Sequence, residues 1–325
     1  MKRRTLLGVG AGVAAAAIVR HGTARAQVQN YPDKPVKLIL PYAPGGATDM
    51  IGRPWADKLS QAFGQQFVIE NRGGAGGLIG TEAAAKSPPD GYTLFLAPSA
   101  ALTVLPLLRK TPYDPVKSFA PIARAGDLVC GFVLNPAVGP KNFQETLAYA
   151  KANPGKLAYG SAGLATASQL RLEMLKYRTQ TDILHVPYRG SADALNDLLP
   201  NNVQMMNEIN VLPHVKAGKL ILLNINYPTR HWDFPDVPTL TELGYPDSDV
   251  PIWYSFQAPA GTPPAIIEKL NLKMNEIAAT DDMKVKARMI NVVIPPQTPE
   301  QMAQHLLADI KATDVLIKAA NVKLE

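Results

Sequence analysis

The chain has a single cysteine in 325 residues, Cys130, so no internal disulfide can form. That cysteine lies in the apolar run Leu128-Val-Cys-Gly-Phe-Val-Leu134, where a thiol is expected to be buried and unreactive. No glycine loop is followed by Gly-Lys-Ser or Gly-Lys-Thr, which excludes a P-loop. His185, His214, His231 and His305 are scattered, with no pair at the spacing of a zinc site. Gly160-Ser161-Ala-Gly163 lacks the leading glycine of a nucleophile elbow, because Tyr159 stands there. Gly74, Gly76 and Gly80 hint at a dinucleotide loop. The next strand, however, ends Leu96-Ala-Pro-Ser99 with no acid for a ribose, so no cofactor is expected. There is no short-period repeat and no low-complexity linker. These absences remove the usual signatures of metal, nucleotide and hydrolytic chemistry.

The charge balance is also less than it first looks. The formal net charge is +6, from 33 basic and 27 acidic residues. The chain opens Met-Lys-Arg-Arg-Thr-Leu-Leu, runs through an apolar stretch from Leu6 to Val19, and reaches Ala24-Arg25-Ala26. That order is a basic n-region, an apolar h-region and an A-x-A cleavage site. The apolar stretch is shorter than the roughly 20 residues of a spanning helix. Residues 1–26 are therefore expected to be an export signal, cleaved after Ala26 to leave Gln27 first. Arg3-Arg4 before Leu6-Leu7 resembles a twin-arginine signal, although Lys2 and Leu6 depart from its fuller pattern, so the export route stays open. The segment holds Lys2, Arg3, Arg4, Arg20, Arg25 and no acid. Without it 33 basic residues fall to 28 against 27 acidic, a balance of +1. No basic patch remains for nucleic acid and no charge run for a membrane surface.

What is present is a strand–loop–helix plan, used repeatedly. Val36-Lys-Leu-Ile-Leu40 alternates as a strand and leads into Pro41-Tyr-Ala-Pro-Gly-Gly-Ala-Thr-Asp49. Ile51, Trp55, Leu59 and Phe63 then recur on one helical face, and Gly64 suits a C-cap. Asp49 is expected to be the N-cap, and Pro54 predicts a kink or a later helix start. In open α/β sheets ligands sit beyond the strand ends, and free N–H groups at a helix start favour an anion. Gly45 and Gly46 would let the backbone approach a ligand. Further strands are expected at Phe67–Glu70 and Tyr92–Leu96.

A second block begins near Cys130 and repeats the plan. Helix is expected from Asn142 or Glu145 to Ala152 and over 167–177, strand at Leu157–Gly160, Ile183–Tyr188, Val203–Asn207 and Gly218–Leu223. The small-residue loop Ser161-Ala-Gly-Leu-Ala-Thr166 again joins a strand to a helix. Trp253–Pro259 reads as an apolar segment crossing between blocks, and helices from Pro264 and from Pro299 close the chain. The alternation argues an α/β fold with a mostly parallel sheet or two such sheets.

Several separated motifs then carry a resemblance. Tyr31-Pro-Asp-Lys-Pro-Val36, Pro44-Gly-Gly-Ala-Thr-Asp49, Glu70-Asn-Arg-Gly-Gly-Ala-Gly-Gly77, Pro89-Asp-Gly-Tyr-Thr93, Val186-Pro-Tyr-Arg-Gly190 and Ala258-Pro-Ala-Gly-Thr-Pro263 occur in order over the mature chain. The chain resembles the Bug proteins, the extracytoplasmic solute-binding proteins of tripartite tricarboxylate transporters. The resemblance implies a periplasmic-binding-protein type II clamshell, two doubly wound lobes joined by crossing strands. Lobe one would be 27–129 with 251–325, and lobe two 130–250. It implies a monomeric periplasmic receptor for small carboxylates, mostly dicarboxylates or aromatic acids, held by N–H groups, small hydroxyls and water, with membrane transporter subunits as partners. Two positions depart from the family pattern: Ala165 stands where a glycine is usual, and Gln169-Leu170 replaces His-Leu.

The expected ligand wall in lobe one is Tyr42, Ala43, Gly45, Gly46, Ala47 and Thr48, with Ser99 nearby. In lobe two it is Ser161, Thr166, Tyr188 and Asn207, each near the C-terminal end of a strand. Arg189 could reach a carboxylate or could be a solvated turn residue. Two other readings stay open: an exported hydrolase of similar fold, which would need a Ser-His-acid set, and a receptor that senses its ligand for a signalling partner.

Overall fold

The structure is a computed structural model that describes residues 30–246 and 248–323. The expected export signal lies outside the described residues. Strand β1 (Val36–Leu40) feeds helix α1 (Ala47–Phe63), followed by β2 (Phe67–Asn71), α2 (Leu78–Ala85) and β3 (Thr93–Pro98). Short helices α3 (Ser99–Leu102) and α4 (Val104–Leu108) then lead to β4 (Phe119–Leu128). The chain crosses into a second sheet with β5 (Val133–Leu134), α5 (Phe143–Ala152), β6 (Ala158–Ser161), α6 (Ala167–Thr179), β7 (Leu184–Pro187) and α7 (Ser191–Leu198). That sheet ends with β8 (Met205–Met206), α8 (Leu212–Lys216) and β9 (Ile221–Leu222). The return to the first sheet is β10 (Trp253–Pro259), then α9 (Pro264–Ala279), α10 (Asp281–Met289), β11 (Val292–Val293) and α11 (Pro299–Ala319).

The first sheet has the order β11-β4-β10-β3-β1-β2, and the second β7-β6-β8-β5-β9. Neither is mostly parallel. The pairs β1–β2, β1–β3, β6–β7 and β6–β8 are parallel, whereas β10, β4, β5 and β9 pair antiparallel. The antiparallel half contains the strands that leave one sheet and come back to it, so their direction is set by the crossing. Trp253–Pro259, read from sequence as a crossing segment, is thus a fully buried central strand between β3 and β4.

Helix α1 buries Ile51, Trp55 and Leu59 and stops at Gly64, whose left-handed φ of 67° lets its N–H return to Ser60 O. It begins at Ala47 and continues through Pro54, so the expected later start is not found. Proline's fixed φ is helical, and the cost is one lost bond to the preceding turn. The N-cap is Gly46, not Asp49. Asp49 lies in the first turn instead, where its Oδ2 accepts from the Gly45 N–H at 3.1 Å and pairs with Arg53 at 2.8 Å. Its charge therefore serves the helix start by reaching back to the loop.

Candidate functional site

The loops after β1, β3, β6 and β8 face one another where the two sheets meet, each at the C-terminal end of a parallel strand. They enclose a small chamber of about 20 Å³, room for roughly one water. From the first sheet it is lined by Tyr42, Ala43, Gly46, Ala47, Thr48 and Tyr254. From the second it is lined by Ala162, Thr166, Ser168, Ser191 and Glu208. A wider opening of about 830 Å³ lies outside it, bordered by Ala75, Gly76, Leu164, Tyr188, Arg189 and Asp193 among others. A separate cavity of about 120 Å³ shares Ala167 and Ile252 with the chamber as a partition, and Ser99 and Arg171 line it.

The seam between the sheets is made by backbone at close range. Ala47 N–H donates to Ser191 Oγ at 3.4 Å. A Cβ on Gly46 would stand 2.8 Å from that same Oγ, and one on Gly76 would stand 2.2 Å from the Leu164 carbonyl oxygen. Glycine at these two places lets the facing loops touch.

Of the eleven residues expected in the site, six line the chamber: Tyr42, Ala43, Gly46, Ala47, Thr48 and Thr166. Gly45 does not; it is exposed and holds Asp49. Ser99 borders the neighbouring cavity, because β3 ends one residue before it and α3 turns it away. Tyr188 sits at the outer opening, and its hydroxyl donates to Asp197 Oδ2 at 2.6 Å. Asn207 is buried behind the chamber, where it bonds Arg171, Asn226 and the Cys130 thiol. Cys130 is fully buried, and burial pushes its thiol pKa up. Arg189 is exposed at the opening.

The hydroxyls are divided between architecture and chamber. Ser161 Oγ lies 2.6 Å from His185 Nε2 and donates to the Gly163 carbonyl at 3.1 Å, in a fully buried position. Burial, with Lys176 nearby, pushes His185 down to about 4, so this imidazole is neutral at pH 7. Thr166 caps α6: its Oγ1 accepts from Gln169 N–H and donates to the Gly163 carbonyl at 2.7 Å. Thr48 differs. Its Oγ1 is buried near the Tyr254 hydroxyl and makes no hydrogen bond of regular geometry. Among the described residues, no three His, Cys, Asp or Glu side chains gather closely enough to hold a metal ion.

The departure at Ala165 has a structural counterpart. Ala165 adopts a left-handed φ of 57°, and its N–H donates to Gln169 Oε1 at 2.6 Å. The two unusual residues of this loop therefore act together, with Gln169 fixing the strained turn.

Sequence reasoning missed Glu208, Ser168, Ser191 and Tyr254 as chamber residues. Glu208 immediately follows Asn207, but its charge has the wrong sign for a site that the two helix-start loops mark as anion-binding. Tyr254 was obscured by reading β10 as a crossing segment.

A family profile described as tripartite tricarboxylate transporter family receptor matches residues 51–322. Protein BugT of Bordetella pertussis is 36% identical over 327 residues, covering 99% of each chain. Among solved structures, Rpa4515 of R. palustris with adipate has a TM-score of 0.87 at 30% identity, over 90% of this chain and 99% of that one. MatC of Rhodopseudomonas palustris with bound malate has a TM-score of 0.83 at 28% identity, over 88% and 100%. The paired sheets, their loop-lined chamber and these matches agree: this chain belongs to the tripartite tricarboxylate transporter receptor family, the solute-binding receptors that include the Bug proteins.

Proposed function

We propose that this protein is a periplasmic receptor that captures a small organic carboxylate between its two sheets and delivers it to a tripartite tricarboxylate transporter. The mature chain would begin at Gln27 and work as a monomer. Residues 27–129 with 251–325 would form one lobe and 130–250 the other, closing by a hinge at the crossings near Leu128 and Ser255. The observation that carries the reading is the chamber at facing strand ends, where the starts of α1 and α6 meet. Thr48 supplies a hydroxyl whose only internal neighbour, the Tyr254 hydroxyl, gives it no bond of regular geometry. Two similar proteins were solved with carboxylic acids, adipate and malate. At about 20 Å³ the chamber is too small for such an acid as it stands, so entry requires the facing loops to part. No helix among the described residues is long and apolar enough to cross a membrane, so the transporter subunits would supply the membrane path.

The test is a thermal-shift screen of the mature chain against mono- and dicarboxylates and short amino acids. A ligand at 100 times its Kd raises stability by about 2.7 kcal/mol. No shift with any acid would refute the reading. The Ser161–His185 contact favours a second reading, an exported hydrolase. Against it, Ser161 is fully buried, and no carboxylate bonds His185 among the described residues. Ser161→Ala should leave ligand binding intact. Turnover of an ester probe by the wild type, lost in that variant, would revive the hydrolase.

A further inference from the structure

One chamber residue has the wrong sign for a plain anion site. Glu208 follows β8, is 5% exposed and lines the chamber. Its Oε2 is buried without a hydrogen-bond partner. Burial pushes its pKa up to about 7, with Arg171 and the Ser168 hydroxyl pulling it back. Arg171 does not supply a partner charge within the chamber. Its guanidinium is bound to Asn207 Oδ1 at 2.8 Å and to the Val250 carbonyl at 2.8 Å, and it borders the adjacent cavity. The other ionisable groups that feel Glu208 are Tyr42 after β1, Tyr254 on β10, Tyr159 on β6 and Cys130 at the crossing. Burial pushes all four pKa values up, so they are neutral at pH 7 and offer no cation.

A dicarboxylate would bring its second charge towards this acid in a chamber with room for roughly one water. An ammonium group would bring the charged donor that Oε2 lacks. We propose that Glu208 is a specificity-determining residue that selects a small acid carrying an ammonium group, a short amino acid, over the dicarboxylate of matching length. The proposal rests on the carboxylate-receptor reading above. The ligand's carboxylate would face the Gly46–Thr48 loop, and its ammonium would face Glu208 across the chamber.

The experiment is calorimetry on the mature protein with three matched pairs: glycine and malonate, β-alanine and succinate, 4-aminobutanoate and glutarate. The amino acid of at least one pair should bind more tightly than its partner at pH 8. Glu208→Gln should weaken that amino acid about thirtyfold or more, as expected when one partner of a buried charge pair is removed. Affinity of the wild type for it should fall roughly tenfold from pH 8 to pH 6, as Glu208 takes up its proton, and the variant should be flat. A dicarboxylate preference in every pair, or an amino-acid preference unchanged by Glu208→Gln, overturns the proposal while leaving the receptor reading in place. Failure of all six to bind either protein counts against the receptor reading itself and removes this proposal with it.

Discussion

Replacing Gly46 with alanine isolates closure of the cleft from ligand contact. Gly46 has φ −88° and ψ −177°, a conformation open to any residue, so the substitution carries no backbone strain. Its Cβ would point across the seam and stop 2.8 Å from Ser191 Oγ, about 0.6 Å inside ordinary contact. Its next contacts are at 3.8 Å and 3.9 Å, which are unstrained. The obstacle is therefore one oxygen atom belonging to the other sheet's half. Overpacking of this kind costs about 1–3 kcal/mol, and only the closed arrangement suffers it. Ligand affinity should fall about 5- to 150-fold. Ser191 Oγ is held only by a 3.4 Å bond from Ala47 N–H, so rotation could relieve part of the clash and favours the lower end. Ser191→Ala removes the oxygen, and the double variant should regain most of the affinity that Gly46→Ala loses. Titration calorimetry with the best acid gives the cycle, and small-angle scattering reads compactness at saturation. Wild-type affinity in Gly46→Ala, or a double variant no better than Gly46→Ala, would refute the closure argument.

Thr48→Val should lower ligand affinity by about 1–3 kcal/mol, because a bound oxygen would lose its donor. It should not lower the melting temperature of the free protein, since that hydroxyl has no regular partner; calorimetry and a thermal scan read the two effects separately. Glu208 has a folded pKa of about 7, above its ordinary 4.5. The proton it keeps stabilises the fold fully below about pH 4.5, and that stabilisation is lost as pH rises through 7. The melting temperature of Glu208→Gln relative to wild type should therefore rise between pH 4 and pH 8, by the equivalent of about 3 kcal/mol at most, and a pH-independent difference would contradict the burial of the carboxyl. Ala165→Gly should relieve the left-handed strain of about 1–2 kcal/mol but gain unfolded-chain entropy worth roughly 0.5–1 kcal/mol. A small net rise in melting temperature is expected, and a clear fall would mean that the Cβ packing is worth more than the strain.

The first sheet was legible wherever a strand followed ordinary composition. Val36–Leu40 and Phe67–Asn71 alternate or carry β-branched residues, and both formed where expected. The ten-residue β4 was not legible. Its sequence, Phe119-Ala-Pro-Ile-Ala-Arg-Ala-Gly-Asp-Leu128, contains proline, glycine and two charges, each of which argues against a buried strand. The structure accommodates all of them. Register shifts against β10 fall near Gly126 and Pro121, so the local irregularities become bulges. Arg124 and Asp127 meet at 2.6 Å, and the guanidinium also lies over the Trp253 ring. A composition rule cannot see such compensation, because the bulge that brings Arg124 and Asp127 together and the Trp253 ring over which the guanidinium lies are set by pairing with β10.

The site divides in the same way. The loop from Tyr42 to Thr48 was readable because strand end, glycine pair and helix start are local features, and five of its residues do line the chamber. On the second side the sequence offered polar residues at strand ends without saying which way they face. Ser161, Thr166, Tyr188 and Asn207 all have their polar groups engaged within their own half: with His185, as the α6 cap, with Asp197 and with Arg171. A buried hydroxyl must find a partner, and when the partner is internal the residue builds the wall instead of gripping the ligand. The groups left without internal partners are the informative ones. In this chamber they are one oxygen of Glu208, which has no partner, and the Thr48 hydroxyl, which has no bond of regular geometry. With the hydroxyl donating and Glu208 ionised, a ligand that satisfies both carries an acceptor at one end and a donor at the other. That pairing describes an acid with an ammonium group better than it describes two carboxylates.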